Sequence, residues 1–497
     1  MHFSDDCTVP LSLIFSGLLC LISLKLFWKR GKLPPGPIPL PVFGNVMQLS
    51  RGNIVTSLFK LRKKYGDVFT VYLGSRPVVV VNRYKAVKEV YVDRADDFLA
   101  RGDIAVFDTN FKNYGLAFTS DMNRWKELRQ FSLSAMRSLG MGKKKIEEHI
   151  QEDACYLVAE LKKTKESFFD PRQFLNKVSG NVIFSIMFGN RHDYDDVKLL
   201  SILNTMNETF FIASSGWGQV FEMFPRIMCL IPGKHQKIFS NMEKLLHYVK
   251  TRVEMSQKTL DTDNPRDYVD TFNGNPLKDK NNPHTEYNMT NLVNSTLQIF
   301  FAGVETTSST LTYALHIFMK YPEVLAKVYK EIEHVIGHDR IPKVQDRNQM
   351  PFTEAVVHEI QRFIDLIPMG MPRKTTSDVE FRGYFLPKHT NVFPMLTSVL
   401  KDPNFFSYPN EFNPQNFLDE NGKFKKSNAF MPLAAGKRNC LGEALARMEI
   451  FIFIVIILQN FTLMSEVPQE DLDLSPDVSG IGNIPKSYKM AFIPRSN

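Results

Sequence analysis

A loop of small residues runs directly into an apolar helix in the segment Phe430-Met-Pro-Leu-Ala-Ala-Gly-Lys-Arg-Asn-Cys-Leu-Gly-Glu443. Gly436 and Gly442 flank Cys440, and glycine lets the backbone approach a flat ligand closely. A helix predicted over residues 443–459 places Cys440 just before a helix N-terminus, where the dipole favours a thiolate over a thiol. Arg438 adds a cation that can pair with a ligand carboxylate. This arrangement fits an anionic sulfur that binds a haem iron from a stiff loop.

A free cysteine is more often a small buried apolar residue than a ligand, and this alternative stands for Cys440 on the local pattern alone. The run Leu433-x-x-Gly436-x-Arg438-x-Cys440-x-Gly442 nevertheless resembles the haem-binding signature of the cytochrome P-450 monooxygenases. The resemblance implies that Cys440 is the axial thiolate ligand of haem b. The family usually has Phe where Leu433 stands, so we expect different packing beside the cysteine loop.

Length and composition limit the classes of protein to consider. The chain has 497 residues, of which 43% are hydrophobic, enough for a large core. Its net charge of +8 suggests acidic partners or an anionic membrane surface. No finger, homeodomain or RNA-binding signature supports nucleic acid as a partner. The five cysteines show no paired spacing, which argues against a disulfide framework and for a reducing compartment.

The N-terminus reads as a single membrane anchor. Residues 7–24 carry no charge and are just long enough to span a bilayer, with Phe27 and Trp28 suited to the interface. Acidic residues precede this run and basic residues follow it, which predicts a lumenal N-terminus and a cytosolic body. A cleaved signal peptide is the alternative, but the acidic start disfavours it. We therefore predict an anchor with its basic flank over residues 1–30.

The rest of the chain divides into a proline-rich linker and one catalytic domain. Residues 31–45 contain several prolines, which predict a stiff extended spacer, although a ligand for an SH3-type domain is an alternative reading. Residues 46–497 form the predicted domain, with a β-hairpin over 69–81 and short strands near 379–394 and 485–494. Helices are predicted over residues 121–138, 143–164, 172–188, 198–213, 232–259, 288–318, 322–336, 350–363 and 443–459. The fold class is mainly α with a minor β-sheet region, which the resemblance identifies with the cytochrome P-450 fold.

A second motif lies midway along the long predicted helix, in Ala302-Gly303-Val304-Glu305-Thr306-Thr307. Gly303 and the hydroxyl groups predict a local kink or groove with room for a small ligand. A patch of back-bonded Ser and Thr side chains is the alternative. The run resembles the family's oxygen-activation motif, which implies that Thr306 and Glu305 deliver protons, while Val304 replaces a common Thr.

Glu359-Ile-Gln-Arg362 places an acid and a base on one face of a helix, which in isolation predicts a surface ion pair. It resembles the family's Glu-x-x-Arg motif, which is structural and ties the core behind the haem. Asn416 stands where relatives have Arg or His as the third member. We therefore predict a weaker structural network here.

Two haem propionates require cations and neutral donors. Trp125 and Arg129 lie four residues apart on one helix face, where a cation–π surface pair is the alternative interpretation. By resemblance, both bind a propionate, and Arg373 and Arg438 occupy the other propionate-binding positions.

Substrate contacts are implied by resemblance to microsomal family 2, which residues 136–148, 188–196 and 264–270 support most closely. The implied contacts are all apolar, which suits a lipophilic ligand, although ordinary core packing is an equal alternative for each. They are Phe107, Phe111, Phe118, Phe210, Phe301, Ala302, Ile367, Met371 and Ile481.

An electron-donor partner is predicted because the chain carries no nicotinamide or flavin fingerprint. Several basic residues flank the cysteine loop or the Trp125 helix, where they could steer an acidic donor, although solvated charge is the default interpretation. They are Lys126, Arg137, Lys143, Lys144, Lys145, Lys423, Lys425, Lys426 and Lys437. By resemblance the donor is NADPH–cytochrome P-450 reductase, with cytochrome b5 as a second candidate.

These patterns together predict a monooxygenase of the endoplasmic reticulum membrane that acts on xenobiotics, fatty acids or steroids with O2. Two alternatives stand beside it. One is a haem-thiolate isomerase or lyase that rearranges an oxygenated lipid without donor electrons. The other is a non-enzymatic protein that binds haem or lipid.

Overall fold

The computed structural model describes Gly17 and residues 33–49, 53–141, 144–189, 191, 196–275 and 285–495. Within these residues no helix is both long enough and apolar enough to cross a membrane. Apart from Gly17, the predicted anchor at residues 7–24 lies outside the described residues.

Helices make up most of the described chain, as predicted. All nine predicted helices are present, with ends that differ by four residues at most, and several shorter ones join them. The α-helices span Val46–Leu49, Ile54–Tyr65, Tyr84–Lys88, Ala105–Phe111, Met122–Ser138, Lys144–Lys162, Arg172–Phe188, Val197–Ser214, Gly216–Met223, Pro225–Met228, Gln236–Gln257, Tyr268–Asn273, Met289–Lys320, Pro322–Val335, Pro351–Ile364, Leu396–Leu400 and Glu443–Asn460.

The strands form small sheets at the edge of the helical body. A five-stranded sheet has the order β1-β2-β7-β4-β3, and its β1-β2 hairpin pairs Val68 with Val81, as the alternating sequence predicted. β2 and β7 run parallel, which places a chain crossover between them. The strands are β1 Val68–Leu73, β2 Arg76–Val81, β3 Ala100–Arg101, β4 Arg373–Lys374, β5 Val379–Phe381, β6 Tyr384–Leu386, β7 Asn391–Pro394, β8 Phe461–Ser465, β9 Pro476–Ser479, β10 Asn483–Pro485 and β11 Met490–Pro494.

The central helix, Met289–Lys320, is buried along most of its length. The Asn288 side chain caps its N-terminus by accepting a hydrogen bond from the Asn291 N–H. The helix continues as one α-helix through Gly303, and Gly303 lines a cavity beside the helix, which agrees with the groove given as one of the two predicted outcomes. Glycine also serves close packing, because a Cβ at Gly303 would lie 2.6 Å from Cδ1 of Ile183. A neighbouring helix can therefore approach the central helix beside its Thr306 motif.

The cysteine helix, Glu443–Asn460, is buried on all sides between Ile450 and Leu458. A helix that is apolar all round lies inside a large protein or a membrane, and here it packs against the central helix and the helix Lys144–Lys162. The prediction of a buried core helix is confirmed. The two core helices together fix where Cys440 and Thr306 lie.

The described part of the proline-rich segment, residues 33–45, is docked on the sheet. Pro35 accepts a hydrogen bond from the Thr70 N–H of β1 over 2.9 Å. A Cβ at Gly36 would lie 1.9 Å from the Thr70 carbonyl oxygen, so only glycine fits there. The segment is therefore packed against the domain that it was predicted to space from the membrane.

Candidate active site

A cavity of about 330 Å³ lies between the central helix and the cysteine loop. Its wall includes Cys440 from the loop and Thr306 from the central helix. The lining is mostly apolar, with a group of arginines among the polar residues. A cavity of this size and character is typical of a cofactor or small-molecule site.

The cysteine loop is held by its own backbone. The Cys440 N–H donates to the Leu433 carbonyl over 3.0 Å and closes the loop. Gly436 has φ of +73°, and a Cβ there would lie 1.8 Å from the Tyr91 carbonyl oxygen, so glycine is required. A Cβ at Gly442 would meet no atom of the described residues within 4 Å, which leaves space for a ligand beside the sulfur. Leu433 thus contributes a backbone acceptor that does not depend on its side chain.

The Cys440 side chain is exposed, but its exposed surface lines the cavity and lies deep below the protein surface. Burial raises the pKa of the Cys440 thiol above its ordinary value, and nearby Glu443 raises it further. A hydrogen bond from the Gly442 backbone and the charge of Arg129 act in the opposite direction but are weaker. The predicted local effect is thus present as the hydrogen bond from the Gly442 backbone, but burial outweighs it in the chain without a ligand. The chain supplies an accessible thiol, and a coordinated metal ion would itself remove the proton.

Four arginines line the cavity together: Arg101, Arg129, Arg373 and Arg438. Arg438 is 5% exposed and donates to the Thr119 carbonyl over 3.1 Å, yet its Nε and Nη1 have no partner among the described residues. Nε of Arg373 and Nη1 of Arg101 are likewise unpaired in the described part of the chain. Burial is the main cause that lowers the pKa of all four arginines. For Arg101 and Arg438, their arginine neighbours lower it further.

This arginine group fits the carboxylates of a haem. Buried charged donors without partners destabilise a folded protein strongly, so an anion from outside the chain completes the site. Two propionates provide two negative charges and several acceptor atoms for the unpaired N–H groups. The sulfur, the open space at Gly442 and the unpaired arginines line one cavity and match a haem with a thiolate ligand.

Trp125 lies on the same wall, and the cation–π pair with Arg129, which was the alternative interpretation, is not observed. The Arg438 guanidinium stacks over the Trp125 ring at 4.6 Å, while Arg129 donates to Oδ1 of Asn439 over 2.6 Å. All four predicted propionate residues line the cavity. Sequence reasoning missed Arg101, whose only local signal is a charge in a short apolar stretch at β3.

The central helix contributes the hydroxyl of Thr306 to the cavity wall. This hydroxyl donates to the Ala302 carbonyl over 2.8 Å, so the predicted back-bonding is present. Glu305 is 2% exposed, its Oε1 has no hydrogen-bond partner among the described residues, and it is not a lining residue of the cavity. Burial raises the pKa of Glu305 to about 8. The structure therefore brings Thr306, but not Glu305, to the cavity.

A second buried acid, Glu449 of the cysteine helix, does line the cavity. Burial raises its pKa to about 8, and neighbouring Thr307 is the main group that lowers it. No described donor makes a well-formed hydrogen bond to either carboxyl oxygen. Sequence reasoning missed Glu449, although an acid between Met448 and Ile450 in a buried helix needs a purpose as much as Glu305 does.

Comparison with known proteins identifies the chain. A family model for cytochrome P-450 matches residues 34–492. This chain belongs to the cytochrome P-450 family. Cytochrome P-450 2G1 of Oryctolagus cuniculus is 51% identical over 495 residues, which cover 100% of both chains. Cytochrome P-450 2A4 of Mus musculus is 50% identical over 96% of this chain and 97% of its own, and 2B4 of Oryctolagus cuniculus is 48% identical over 97% and 98%.

These relatives all belong to family 2, as the sequence resemblance implied. The chain is a P-450 monooxygenase, and its cofactor is haem with an axial cysteine thiolate. Of the described cysteines, Cys155 and Cys229 lie elsewhere on the surface, and Cys440 is the one that lines the P-450 cavity.

The predicted substrate contacts fall into three groups in this P-450. Phe118, Ala302, Ile367 and Met371 line the main cavity. Ile481 lines a smaller cavity of about 50 Å³, which shares Met371 with the main one. The remaining four line neither of these two cavities and pack as aromatic pairs, Phe107 with Phe111 and Phe210 with Phe301.

The Glu-x-x-Arg pair of this P-450 is fully buried. Arg362 and Glu359 are both 0% exposed and form two hydrogen bonds of 2.7 Å. Asn416 joins the pair, with its Nδ2 at 3.2 and 3.3 Å from the two Glu359 oxygens. The network keeps its third member, and a neutral amide occupies the position where relatives carry a cation.

Proposed function

We propose that this chain inserts one atom of O2 into a lipophilic substrate, with electrons that come from NADPH through NADPH–cytochrome P-450 reductase. The cavity that joins Cys440, Thr306 and four arginines, three of which have unpaired N–H groups, is the observation that carries this proposal. In the balanced reaction, a substrate C–H bond, O2, two electrons and two protons give an alcohol and water. When bound, haem supplies the activation of O2.

The chain's residues hold the cofactor from two sides. We assign the Cys440 sulfur as the axial ligand, because the loop presents it to the cavity with space beside it. Arg101, Arg129, Arg373 and Arg438 hold the propionates, and Trp125 supports Arg438 by stacking. Of these, Arg101 and Arg438 also donate to the backbone carbonyls of Ala117 and Thr119, so the cofactor site is built into the surrounding loop.

Protons are needed at the cavity side of the central helix. The Thr306 hydroxyl donates its hydrogen to the Ala302 carbonyl, so its oxygen is available to accept a hydrogen bond from a group in the cavity. Such a fixed acceptor can orient a water that carries a proton. Glu305, the acid that the resemblance implies, is adjacent in the helix and holds a proton near neutral pH because of its raised pKa.

The substrate is a xenobiotic, a fatty acid or a steroid in this proposal. Phe118, Ala302, Ile367 and Met371 give the cavity an apolar wall, and lipophiles bury their surface against such walls. The shared residue Met371 connects the main cavity with the smaller one at Ile481.

Electrons come from an acidic partner protein, with cytochrome b5 as a second donor. Lys143 of the predicted basic set lies outside the described residues. The other eight residues of the set are all exposed and can steer such a partner: Lys126, Arg137, Lys144, Lys145, Lys423, Lys425, Lys426 and Lys437. Lys144 pairs with Glu148 and Lys437 with Asp96, but both pairs are at the surface. Lys437 lies three residues before Cys440, so the positive surface extends to the cysteine loop.

We place the catalytic domain on the cytosolic face of the endoplasmic reticulum membrane. The uncharged run at residues 7–24 supports an anchor. A group of exposed apolar side chains supports contact with lipid as well: Ile38, Val42, Phe43, Met47, Trp217, Ile227 and Leu230. The Phe43 and Phe224 rings pack edge to face, with 6.2 Å between their centroids. This contact joins the apolar side chains of the proline-rich segment to those near the helix Gly216–Met223.

The decisive experiment replaces the sulfur. Cys440→Ala is expected to abolish the thiolate-dependent absorption band of the ferrous–CO complex and all NADPH-dependent product formation, because no other described cysteine lines the cavity. Cys155→Ala is the matched control, since that exposed cysteine lies on the helix Lys144–Lys162, and it should retain both signals.

Retention of the band in Cys440→Ala would refute the ligand assignment. Product formation from an oxygenated lipid without NADPH would instead favour the isomerase or lyase. A normal band with no NADPH consumption in membranes that contain reductase would favour a non-enzymatic haem protein.

A further inference from the structure

The chain that leaves the helix Pro351–Ile364 forms part of the cavity wall. Leu366 and Ile367 line the main cavity, and the Gly370 N–H donates to the Ile367 carbonyl over 3.0 Å and closes a turn. Asp365 begins this wall segment, residues 365–370, and has φ of +46°, in the left-handed region that Asp tolerates better than most residues. The direction in which the chain enters the cavity wall is therefore set at Asp365.

The wall segment is fastened on two sides by its backbone carbonyls. On one side, Asn483 of β10 donates its Nδ2 to the Asp365 carbonyl over 2.7 Å and its N–H to the Leu366 carbonyl over 2.9 Å. On the other side, the Thr397 N–H donates to the Pro368 carbonyl over 3.0 Å. Three successive parts of the segment are thus held in place, and the Asp365 side chain lies against Thr397.

The Asp365 carboxyl group is buried, with 3% of the residue exposed. Its Oδ2 is hydrogen-bonded to the Thr397 hydroxyl, and its Oδ1 has no partner among the described residues. The Thr397 hydroxyl also lies 3.0 Å from the Pro368 carbonyl oxygen. A hydroxyl has one hydrogen to donate, and a carbonyl oxygen can only accept. Both contacts are satisfied together only if the hydroxyl donates to Pro368 and Asp365 carries a proton that it donates to the hydroxyl oxygen.

The surroundings of Asp365 favour this neutral acid. Burial raises the pKa of Asp365 from an ordinary value of 3.8 to about 7. The charge of Lys401, the hydrogen bond with Thr397 and the charge of Arg362 act in the opposite direction but are weaker. The strand β10 contributes the uncharged Asn483. An ionised Asp365 would be a buried carboxylate with an unpaired oxygen, which costs free energy.

We propose that Asp365 is a positioning residue that, as a neutral acid, holds the wall segment in the form that binds substrate. Release of its proton leaves the Thr397 hydroxyl with two acceptors for one hydrogen, so the segment loses a hydrogen bond at Pro368 or at Asp365. Substrate affinity then falls as the pH rises through neutrality, even for a substrate that carries no charge. The inference rests on the proposed function of the cavity as a substrate site.

The experiment measures naphthalene binding to the haem-loaded full-length chain from the spectral shift of the haem at pH 6 and pH 8. Naphthalene is uncharged at both pH values. The wild-type affinity should fall about tenfold, because only about a tenth of the protein keeps the Asp365 proton at pH 8. Asp365→Asn imitates the neutral acid, since its amide can donate to the Thr397 oxygen, and it should bind equally well at both pH values. Asp378→Asn is the matched control, because this exposed aspartate accepts from the Lys388 N–H, and it should follow the wild type.

A wild-type affinity that is the same at both pH values would overturn the inference, and so would an equal fall in the wild type and in Asp365→Asn. If Asp365→Asn does not fold, hydrogen exchange in the wild type decides. Protection of residues 366–370, corrected for the intrinsic effect of pH, should be lower at pH 8 than at pH 6, and unchanged protection would overturn the inference. These measurements need no turnover, so failure of the proposed function would be seen separately as absent NADPH-dependent product.

Discussion

The molecule buries arginine in two ways. Arg362 is 0% exposed, and its three nitrogens donate to Glu359 and to the carbonyls of Leu400, Pro409, Tyr408 and Glu411. Arg438 is 5% exposed, yet one bond to the Thr119 carbonyl is its one contact with a hydrogen-bond acceptor in the described residues. Every nitrogen of the Arg362 guanidinium has an acceptor within the chain, whereas two nitrogens of Arg438 have none among the described residues.

The difference separates stability from binding. Buried polar groups are almost always hydrogen-bonded, so an arginine that the chain itself satisfies serves the fold. Where unpaired guanidinium groups meet at a cavity, the missing acceptor belongs to a ligand. We therefore propose a structural role for the arginine behind the haem site and a binding role for those inside it, and their hydrogen-bond partners distinguish the two.

Arg362→Met tests the fully hydrogen-bonded arginine and should lower the stability of the protein more than the other variants change theirs. It leaves the Glu359 carboxylate buried without its cation, and breaking a buried ion pair destabilises a protein by about 3–5 kcal/mol. We expect no folded, haem-loaded protein, measured by haem absorbance per chain and by thermal unfolding. Lys144→Met is the control, since Lys144 forms an exposed pair with Glu148 at 3.5 Å and should change little. Normal folding of Arg362→Met would contradict the structural role of Arg362.

Arg438→Leu tests the arginine with unpaired nitrogens. The substitution should have opposite effects on the stability of the haem-free chain and of the haem-loaded chain. The haem-free chain loses an unpaired buried charge and the repulsion from its neighbours, so its unfolding temperature should stay or rise. The haem-loaded chain loses charge-assisted bonds worth about 1.5–3 kcal/mol, which corresponds to roughly a 10- to 100-fold faster loss of haem.

Haem transfer to an excess of apomyoglobin measures that loss. Arg438→Lys keeps the charge but not the fork of donors, and it should lie between the wild type and Arg438→Leu. Equal destabilisation of both forms by Arg438→Leu would show that this arginine is as structural as Arg362.

Much of the fold was predictable because its signals are local. The long helices follow from apolar periodicity, and the β1-β2 hairpin follows from alternation in residues 69–81. Short helices such as Tyr84–Lys88 are too brief to repeat an apolar period, so they were missed. Gly303 lines the cavity as the predicted kink or groove implied, but its close contact with Ile183 of another helix is a tertiary feature that the sequence does not show.

The candidate site was predictable only in part. Cys440 and the four predicted propionate residues line one cavity, as the resemblance implied from separate segments of the sequence. Arg101 and Glu449 were missed because each meets the cavity through contacts with residues far away in sequence. Their burial and hydrogen bonds become visible only once the helices are packed. The raised thiol pKa of Cys440 is also a tertiary effect, because burial outweighs the hydrogen bond from the neighbouring Gly442 backbone.

Two buried acids, Glu359 and Glu449, differ in the same way as the two arginines, because the first has hydrogen-bond partners and the second has none that are well formed among the described residues. Glu359 accepts hydrogen bonds from Arg362, the Asn413 N–H and Asn416, whereas Glu449 receives no well-formed hydrogen bond from the residues that the structure describes. Burial raises the pKa of Glu449 from an ordinary value of 4.5 to about 8, and the charge of Asp153 adds to the shift. The folded protein therefore keeps a proton on Glu449 that the unfolded chain has already released at neutral pH.

Glu449→Gln should remove the pH dependence of stability that this proton causes, and we expect this to be the smallest of the predicted effects. The pKa of Glu449 is higher in the folded protein than in the unfolded chain, so protonation of Glu449 favours the folded state. Its contribution to the free energy of unfolding is fully present below pH 4.5 and is lost as the pH rises to about 8. Glutamine mimics the protonated acid, so the variant should gain on the wild type by at most about 1.4 kcal/mol per pH unit in that window. Unfolding temperatures of both haem-loaded proteins at pH 5 and pH 8 measure the gain. Glu466→Gln, at an exposed position paired with Lys489, should follow the wild type at both pH values. Parallel pH profiles for Glu449→Gln and the wild type would mean that Glu449 is as well compensated as Glu359.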